Sequence, residues 1–456
     1  NCMTKSSELV EWLHSGGTEG LNDVQIKSSK RLCGTIGCFA LRNFEIGDII
    51  FKIPQKCIIG NIKALGSDIC HFLREAFVSL STEETLLLTD ELIFWLFMIQ
   101  QRSDRSAFIS PYLCSLEHAA PDLLSWRSND ESTLKGAIDL SNLGNSLLES
   151  HNRLERQCQL LDDIRQKFPE KCASLLPPDI FNMESLLWAR GHYLSRRYPG
   201  KYSLSTNDED TTACIHQFGK EIGLQSLGCL VPLLDMLNHN HDHDWLKFHV
   251  ENDCLQVICN HPVQKGSELY SCYGDLSNEQ LLFAYGFALR NNPFDSFALK
   301  LKSTSAAASQ VFYIRRGGMT GVPLELWQAL SLLVNGVNDT SDEEENAGEV
   351  IGFDECLSLK EFLVNKAKNM DICLQRLKEV KNSVPKVTKV KRKLGADGEG
   401  SYLLMDKAAQ LEWYVNGQKE ILSEVLGDIE TLLSQYSADD EDDDDDDEIV
   451  KEEEKS

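Results

Sequence analysis

Three short segments of this 456-residue chain gather residue types that can hold an anion and enclose a cationic side chain. Trp188-Ala-Arg-Gly-His-Tyr-Leu-Ser-Arg-Arg-Tyr198 places Ser195, Arg196 and Tyr198 within four positions, and Leu230-Val-Pro-Leu-Leu-Asp-Met-Leu-Asn-His239 is an apolar run interrupted by Asp235 and closed by Asn238-His239. Gly266-Ser-Glu-Leu-Tyr-Ser-Cys-Tyr-Gly-Asp275 carries Tyr270 and Tyr273, and Leu281-Leu-Phe-Ala-Tyr-Gly-Phe287 adds Tyr285 and Phe287. A guanidinium is a permanent planar fork for carboxylates, and tyrosine faces attract cations. Each feature alone has an ordinary reading: Asn-His as the turn at a strand end, the tyrosines as core aromatics with satisfied hydroxyls. Their occurrence together points to a site. The cluster His239-Asn-His-Asp-His-Asp244 has a rival reading as a metal centre, since imidazoles and carboxylates ligate zinc. So compact a run does not converge on one tetrahedral ion, and no C-x-x-C pair lies alongside, so no metal is expected.

The elements that must carry these residues alternate in type. Ile36–Arg42 and Asp48–Ile53 are short β-rich segments around the turn Glu45-Ile46-Gly47-Asp48, and residues 245–271 return to that pattern, with WLKFHV and CLQVIC flanking Glu251-Asn252-Asp253 as a hairpin. Between them, from about 66 to 190, Leu143, Leu147, Leu154, Leu161 and Ile164 recur at helical spacing. After Pro293 the sequence is mostly helical, in apolar stripes over 324–334, 357–380 and 403–436. The economical reading is an α+β protein. It has a helical segment over 1–23, one β-rich domain over 24–290 with a helical insertion at 66–185, an all-α domain over 291–436, and a disordered acidic tail over 437–456.

Composition excludes several classes. The net charge is −26, but the last twenty residues hold 13 acids against 2 bases, and Asp339–Glu349 is a second acidic run. Such runs repel themselves and read as solvated chain. The balance does not suit phosphate backbones, so nucleic acid is not an expected ligand. Fifteen cysteines without a C-x-x-C pair read as reduced, mostly buried small hydrophobes of an intracellular protein. The longest apolar run, Leu92–Ile99, is too short to span a bilayer, and no membrane association is expected. No secretory signal is read; cytoplasm and nucleus are the expected compartments, with a chloroplast left open because the chain begins at Asn1 rather than Met. The basic run 386–393 (KVTKVKRK) reads as an exposed loop, with nuclear targeting as its alternative.

The three segments, in order and spacing, resemble the SET-domain lysine methyltransferases, in particular the branch typified by the Rubisco large-subunit methyltransferase. In that branch a SET domain with a helical insertion precedes a helical substrate-binding domain, and the resemblance covers roughly residues 24–436. It implies that the Asn238-His239 and Tyr273 segments thread one another in the SET pseudoknot, where S-adenosylmethionine meets the substrate channel. By the same resemblance Gly37, Cys38 and Phe39 fall in the loop that holds the methionine part of that cofactor, although Thr35 stands where the family has its first glycine. Arg196 matches the arginine that pairs with the cofactor carboxylate, Asn238 and His239 the pair on the adenine and methionine parts, and Tyr273 the active-site tyrosine. The carbonyls of Ser195 and Asp235 are expected to orient the substrate amine, with Tyr198, Tyr285 and Phe287 walling the channel.

The implied activity is protein-lysine N-methylation of a non-histone protein that presents a basic, lysine-bearing segment, carried out by a monomer. Two alternatives keep the fold. A histidine acceptor needs a less hydrophobic pocket with hydrogen-bonding side chains, which the aromatic Tyr198 and Tyr285 disfavour. A non-catalytic interaction protein has no need to keep Arg196, Asn238, His239 and Tyr273 together.

Overall fold

The computed structural model describes residues 2–29, 36–203, 228–241, 245–302, 309–335, 352–383 and 396–449, with side chains described except at 2–6, 28, 62, 302, 309, 335, 396–406 and 437–449. The chain forms two compact units. The first comprises Asn1–Trp126, Leu147–Asp275 and Phe283–Gly286, the second Arg127–Ser146, Leu276–Leu282 and Phe287–Ser456.

In the first unit the strands are short: β1 (Val24–Ser28), β2 (Ile36–Ala40), β3 (Ile49–Pro54), β4 (Ile59–Gly60), β5 (Arg197–Pro199), β6 (Gly228–Leu230), β7 (Asn238–His239), β8 (Leu246–Glu251), β9 (Cys254–Cys259) and β10 (Glu268–Ser271). They pair as three small sheets, in orders β1-β2-β10-β7, β3-β9-β8 and β4-β6-β5. β8 and β9 form the expected hairpin, turning through Asn252 and Asp253, both at positive φ, where short polar side chains are tolerated. The other pairings are long-range. β10 pairs antiparallel with β2 and parallel with β7, Tyr270 opposite Asn238 and Ser271 opposite His239.

Helices α1 (Cys2–Ser15), α2 (Asn61–Leu65), α3 (Asp68–Phe77), α4 (Thr82–Thr85), α5 (Asp90–Ser103), α6 (Ser110–Ser115), α7 (Asn129–Ala137), α8 (Asn142–Lys167), α9 (Pro169–Leu175) and α10 (Met183–Arg196) come before and between these strands. The run Leu92–Ile99 lies in α5 and is buried along its whole length, which is why it is apolar on every face. One side meets α10, where Phe94 lies 4.7 Å from Tyr193. No helix among the described residues is long and apolar enough to cross a membrane. The residues of α7 and the first turns of α8 belong to the second unit.

The second unit also holds an antiparallel hairpin, β11 (Ser296–Lys302) and β12 (Ser309–Arg315), ahead of its C-terminal helices. The sequence predicts mostly helix after Pro293 and does not place this hairpin. The hairpin forms because Phe297, Leu299 and Leu301 alternate with more polar residues, burying one face against water on the other. After α11 (Asn278–Tyr285), which bridges the two lists of residues, come α12 (Leu324–Asn335), α13 (Phe353–Ser383) and α14 (Ala396–Ile449). α13 buries Cys356, Leu359, Leu363, Met370, Cys373 and Leu377, and α14 buries Leu411, Tyr414, Val415, Leu422, Val425 and Ile429. Both sets recur mostly at three, four or seven residues, the spacing of one helical face. The backbone of 437–449 continues α14; its side chains, all of 450–456, the run 339–349 and the basic run 386–393 lie outside the described residues, and with them the expectations of an unpacked tail beyond 449 and of exposed loops. Every described cysteine is free, most of them buried.

Candidate active site

The site is built where β7 runs parallel to β10. Asn238 donates through Nδ2 to Glu268 Oε1 at 2.6 Å and to the Ile36 carbonyl at 3.3 Å, which ties β7 to both β10 and β2. The Glu268 carboxylate also accepts from Ser29 at 2.9 Å and from the Tyr270 hydroxyl at 3.1 Å. A carboxylate only accepts, so it fixes the Asn238 amide with its nitrogen inward and its Oδ1 turned away. Gly37 packs directly over this pair: a Cβ there would meet Glu268 Oε1 and Asn238 Nδ2. Cys38 points the other way, into the core, and burial together with the charge of Glu268 pushes its thiol up to about 12. Only its backbone can face a ligand. Lys27 lies 4.2 Å over the ring of Phe39, and Gly34 and Thr35 lie outside the described residues.

His239 accepts the Tyr273 backbone N–H on Nδ1 at 3.1 Å, which places the ring proton on Nε2. Its ring lies 5.1 Å from that of Tyr273, which in turn stacks on Tyr285 at 4.6 Å. Gly286 beside it has φ +74°, and a side chain there would strike the Pro121 carbonyl, so the corner that presents Tyr285 requires glycine. Tyr198 lies on β5.

The turn 233–237 faces these rings. Leu233 sits at φ +79°, an outlier for a branched residue, and the turn is pinned from several sides. Tyr198 donates to the Leu234 carbonyl at 3.0 Å and Tyr273 to the Leu237 carbonyl at 2.8 Å. Burial pushes both hydroxyls well above the ordinary tyrosine range, so each is a neutral phenol whose proton is committed to a carbonyl. Arg196, in the last turn of α10, donates through Nη1 to the Asp235 carbonyl at 3.2 Å and to its Oδ2 at 3.0 Å. Its Nε is buried with no partner. The Asp235 carbonyl, expected to orient a substrate amine, is thus already shared with Arg196. The Ser195 hydroxyl bonds back to the Gly191 carbonyl at 2.8 Å, leaving its own carbonyl in the last helical turn, where intrahelical partners run out. Phe287 belongs to the second unit.

A family model described as the SET domain matches residues 35–274, more than half of the chain. The chain belongs to the SET-domain family. Among curated proteins this SET-domain chain is 26% identical over 288 residues to the N-lysine methyltransferase setd6 of Xenopus laevis, covering 62% of this chain and 57% of that one. It is 32% identical over 311 residues to the mouse N-lysine methyltransferase SETD6, covering 66% and 58%. The chain therefore spans less than two thirds of the length of these relatives. A solved structure of Rubisco LSMT bound to AdoMet superposes with a TM-score of 0.66 over 94% of this chain and 92% of that one at 18% identity, a likeness of fold.

Within the SET-domain frame, Arg196, Asp235, Asn238, His239, Tyr273, Tyr198 and Tyr285 come together in the first unit, with Gly37 against Asn238. Glu268 and Tyr112 were missed by sequence reasoning. Glu268 had a signal, since it lies in the quoted Gly266–Asp275 segment two residues before Tyr270. Tyr112 had none. His239 and His241 stand 6.2 Å apart, ring to ring, and residues 242–244 lie outside the described residues. Among the described residues no three His, Cys, Asp or Glu side chains gather as a metal site.

Proposed function

We propose that the chain is an S-adenosylmethionine-dependent protein-lysine N-methyltransferase acting on a basic, lysine-bearing segment of a non-histone protein. One observation carries the reading: the unpaired, buried Nε of Arg196 lies in the same site as the Tyr273–Tyr285 stack and the Asn238-His239 pair. The residues fit the methyl donor. Arg196 has a donor edge left for its carboxylate, Asn238 Oδ1 is an acceptor for its ammonium, and the bare backbone of Gly37 lets the chain approach closely. The bound donor supplies an electrophilic sulfonium methyl.

The chain's own residues prepare the acceptor. A lysine with pKa ~10.4 costs about 4.6 kcal/mol to neutralise near pH 7. Tyr198 and Tyr285 offer faces that first attract the ammonium, and the apolar enclosure then disfavours its charge. Tyr273 cannot serve as a base, because its hydroxyl is held neutral and donates to Leu237. Its remaining lone pairs and the Ser195 carbonyl are the acceptors assigned to orient the amine. The carbonyl of Asp235 is given a lesser part than the sequence suggested, because Arg196 occupies it.

Incubating the protein with labelled S-adenosylmethionine and cell extract should label a protein band, and amino-acid analysis should return N-methyl-lysine. N-methyl-histidine would transfer the proposal to a histidine acceptor, and no labelling together with no calorimetric binding of the donor would favour a pure binding protein. Tyr273→Phe should lower turnover by ~10²-fold while the donor still binds, as when one preorganised group is removed from a reacting centre.

A further inference from the structure

Residues 117–126 follow α6, whose Tyr112 donates to Asp235 Oδ2 at 2.7 Å, and run along α10, the helix that ends in Arg196. The Glu117 carbonyl accepts from Trp188 Nε1 at 3.0 Å and from His192 Nε2 at 2.9 Å. Asp122 Oδ2 accepts from Arg190 Nη1 at 2.5 Å and Oδ1 from Ser125 Oγ at 2.5 Å, so both carboxylate oxygens are engaged. The pair is buried, its side chains 5% and 0% exposed. Next to Arg190 the helix is bare: a Cβ on Gly191 would meet Ala120 and Asp122. The same stretch, 120–122, also receives Gly286, where a Cβ would strike the Pro121 carbonyl. Two glycines from distant parts of the chain thus close on three residues of backbone, and one of them directly follows Tyr285. Arg190 also lies over the ring of Phe283, 5.0 Å from its centroid and two residues before Tyr285. All these residues belong to the first unit.

A buried ion pair is a poor source of stability, because apolar side chains of the same volume often serve as well; what it adds here is one fixed arrangement. We infer that Asp122, held by Arg190, is a positioning residue for Tyr285: the pair locks 120–122 onto α10, that stretch seats the Gly286 corner, and the corner aims the Tyr285 ring at the acceptor amine. The inference rests on the methyl-transfer reading above and adds to it the device that sets one wall of the channel. Asp122→Ala would strip Arg190 and Ser125 of their shared acceptor and leave a guanidinium buried and unpaired. The stretch would lift from α10, and Tyr285 would leave the Tyr273 ring on which it stacks at 4.6 Å. The residues assigned to the donor, Arg196, Asn238 and Gly37, lie outside this chain of contacts, so donor binding should be spared.

The test uses the full chain, S-adenosylhomocysteine for calorimetry of the donor site and, as acceptor, the purified protein that wild type labels in cell extract. Tyr285→Ala should raise the acceptor concentration for half-maximal labelling by about 10-fold, the scale of one desolvated cation–ring contact. Asp122→Ala should raise it by a similar factor, with the maximal rate within about three-fold and S-adenosylhomocysteine affinity within about two-fold of wild type. Adding Asp122→Ala to Tyr285→Ala should change nothing further, because both act through one ring. A merely structural role gives an unfolded fraction, which lowers the maximal rate and the number of donor sites and leaves both affinities alone; that pattern overturns the inference. So does an additive loss in the double variant, or an equal loss of donor affinity, which would mean that the disturbance runs along α10 to Arg196. If Asp122→Ala is not recovered folded, the apolar pair Asp122→Leu with Arg190→Met carries the test with the same expected and overturning outcomes. Failure of wild type to label any protein would instead remove the methyl-transfer reading, and this inference with it.

Discussion

Asn238 shows how a single carboxylate decides what a neighbouring side chain can offer. Its amide has two faces of opposite chemistry, and Glu268 selects between them by accepting from Nδ2 at 2.6 Å. Glu268→Gln should undo that selection, because an amide in its place can present a donor to a donor. Asn238 would then turn its nitrogen outward, and binding of S-adenosylmethionine should weaken by about 10-fold; calorimetry showing full affinity would mean the outward atom of Asn238 does not touch the ligand. The residues legible in the sequence were those inside contiguous motifs, such as Asn238-His239 and Tyr273. Their supports were not legible. Glu268 meets Asn238 across 30 positions and Tyr112 meets Asp235 across 123, and nothing local in a sequence announces a bond made by a parallel pairing or by a distant helix.

At the scale of elements, α10 has one end that stabilises it and another that presents chemistry. Asn182 caps its start, accepting from Ser185 N at 3.1 Å, while Ser185 Oγ accepts from the Asn182 backbone at 3.0 Å. Fourteen residues of helix, roughly 21 Å at 1.5 Å per residue, separate that cap from Arg196. Asn182→Ala should therefore cost about 1 kcal/mol of stability and leave donor affinity within about two-fold; a larger loss of affinity would show that fraying reaches the far end. Gly37→Ala works in the opposite sense. The added methyl would meet Glu268 and Asn238, so β2 must shift at the site itself, and donor affinity should fall with a stability loss of about 1–3 kcal/mol. An unaffected affinity would remove Gly37 from the ligand's surroundings. Helices and the β8–β9 hairpin were readable from periodicity and turn residues. The β11–β12 hairpin was not, because Phe297, Leu299 and Leu301 fall just after Pro293, where long helical stripes dominate the composition.

At the scale of the whole molecule, the net charge of −26 draws attention to exposed acid, yet the carboxyls that make stability depend on pH near neutrality are buried ones in the second unit. Burial, then repulsion from Asp295, pushes Glu279 up to about 7, against a bond from Tyr414 and the charge of Lys366. Burial likewise pushes Asp295 up to about 6, although Asn278 bonds its charged form and Arg316 attracts it. Both folded values lie above those of the unfolded chain. Between about pH 4 and pH 7 the folded unit therefore holds protons that the unfolded chain has released, and these two groups contribute less stability as pH rises through that window. Other carboxyls act in the opposite sense, Glu131 beside Lys407 among them, so the raw pH profile mixes both. A difference isolates one group. Glu279→Gln removes the titration and keeps the shape, and its stability relative to wild type should rise between pH 5 and pH 8 by on the order of 2 kcal/mol, since each pKa step is worth about 1.4 kcal/mol. Thermal or urea unfolding of the two proteins across that range gives the difference directly. Parallel curves would mean that Glu279 is already ionised in the folded unit at pH 5, and that neither its burial nor Asp295 governs it.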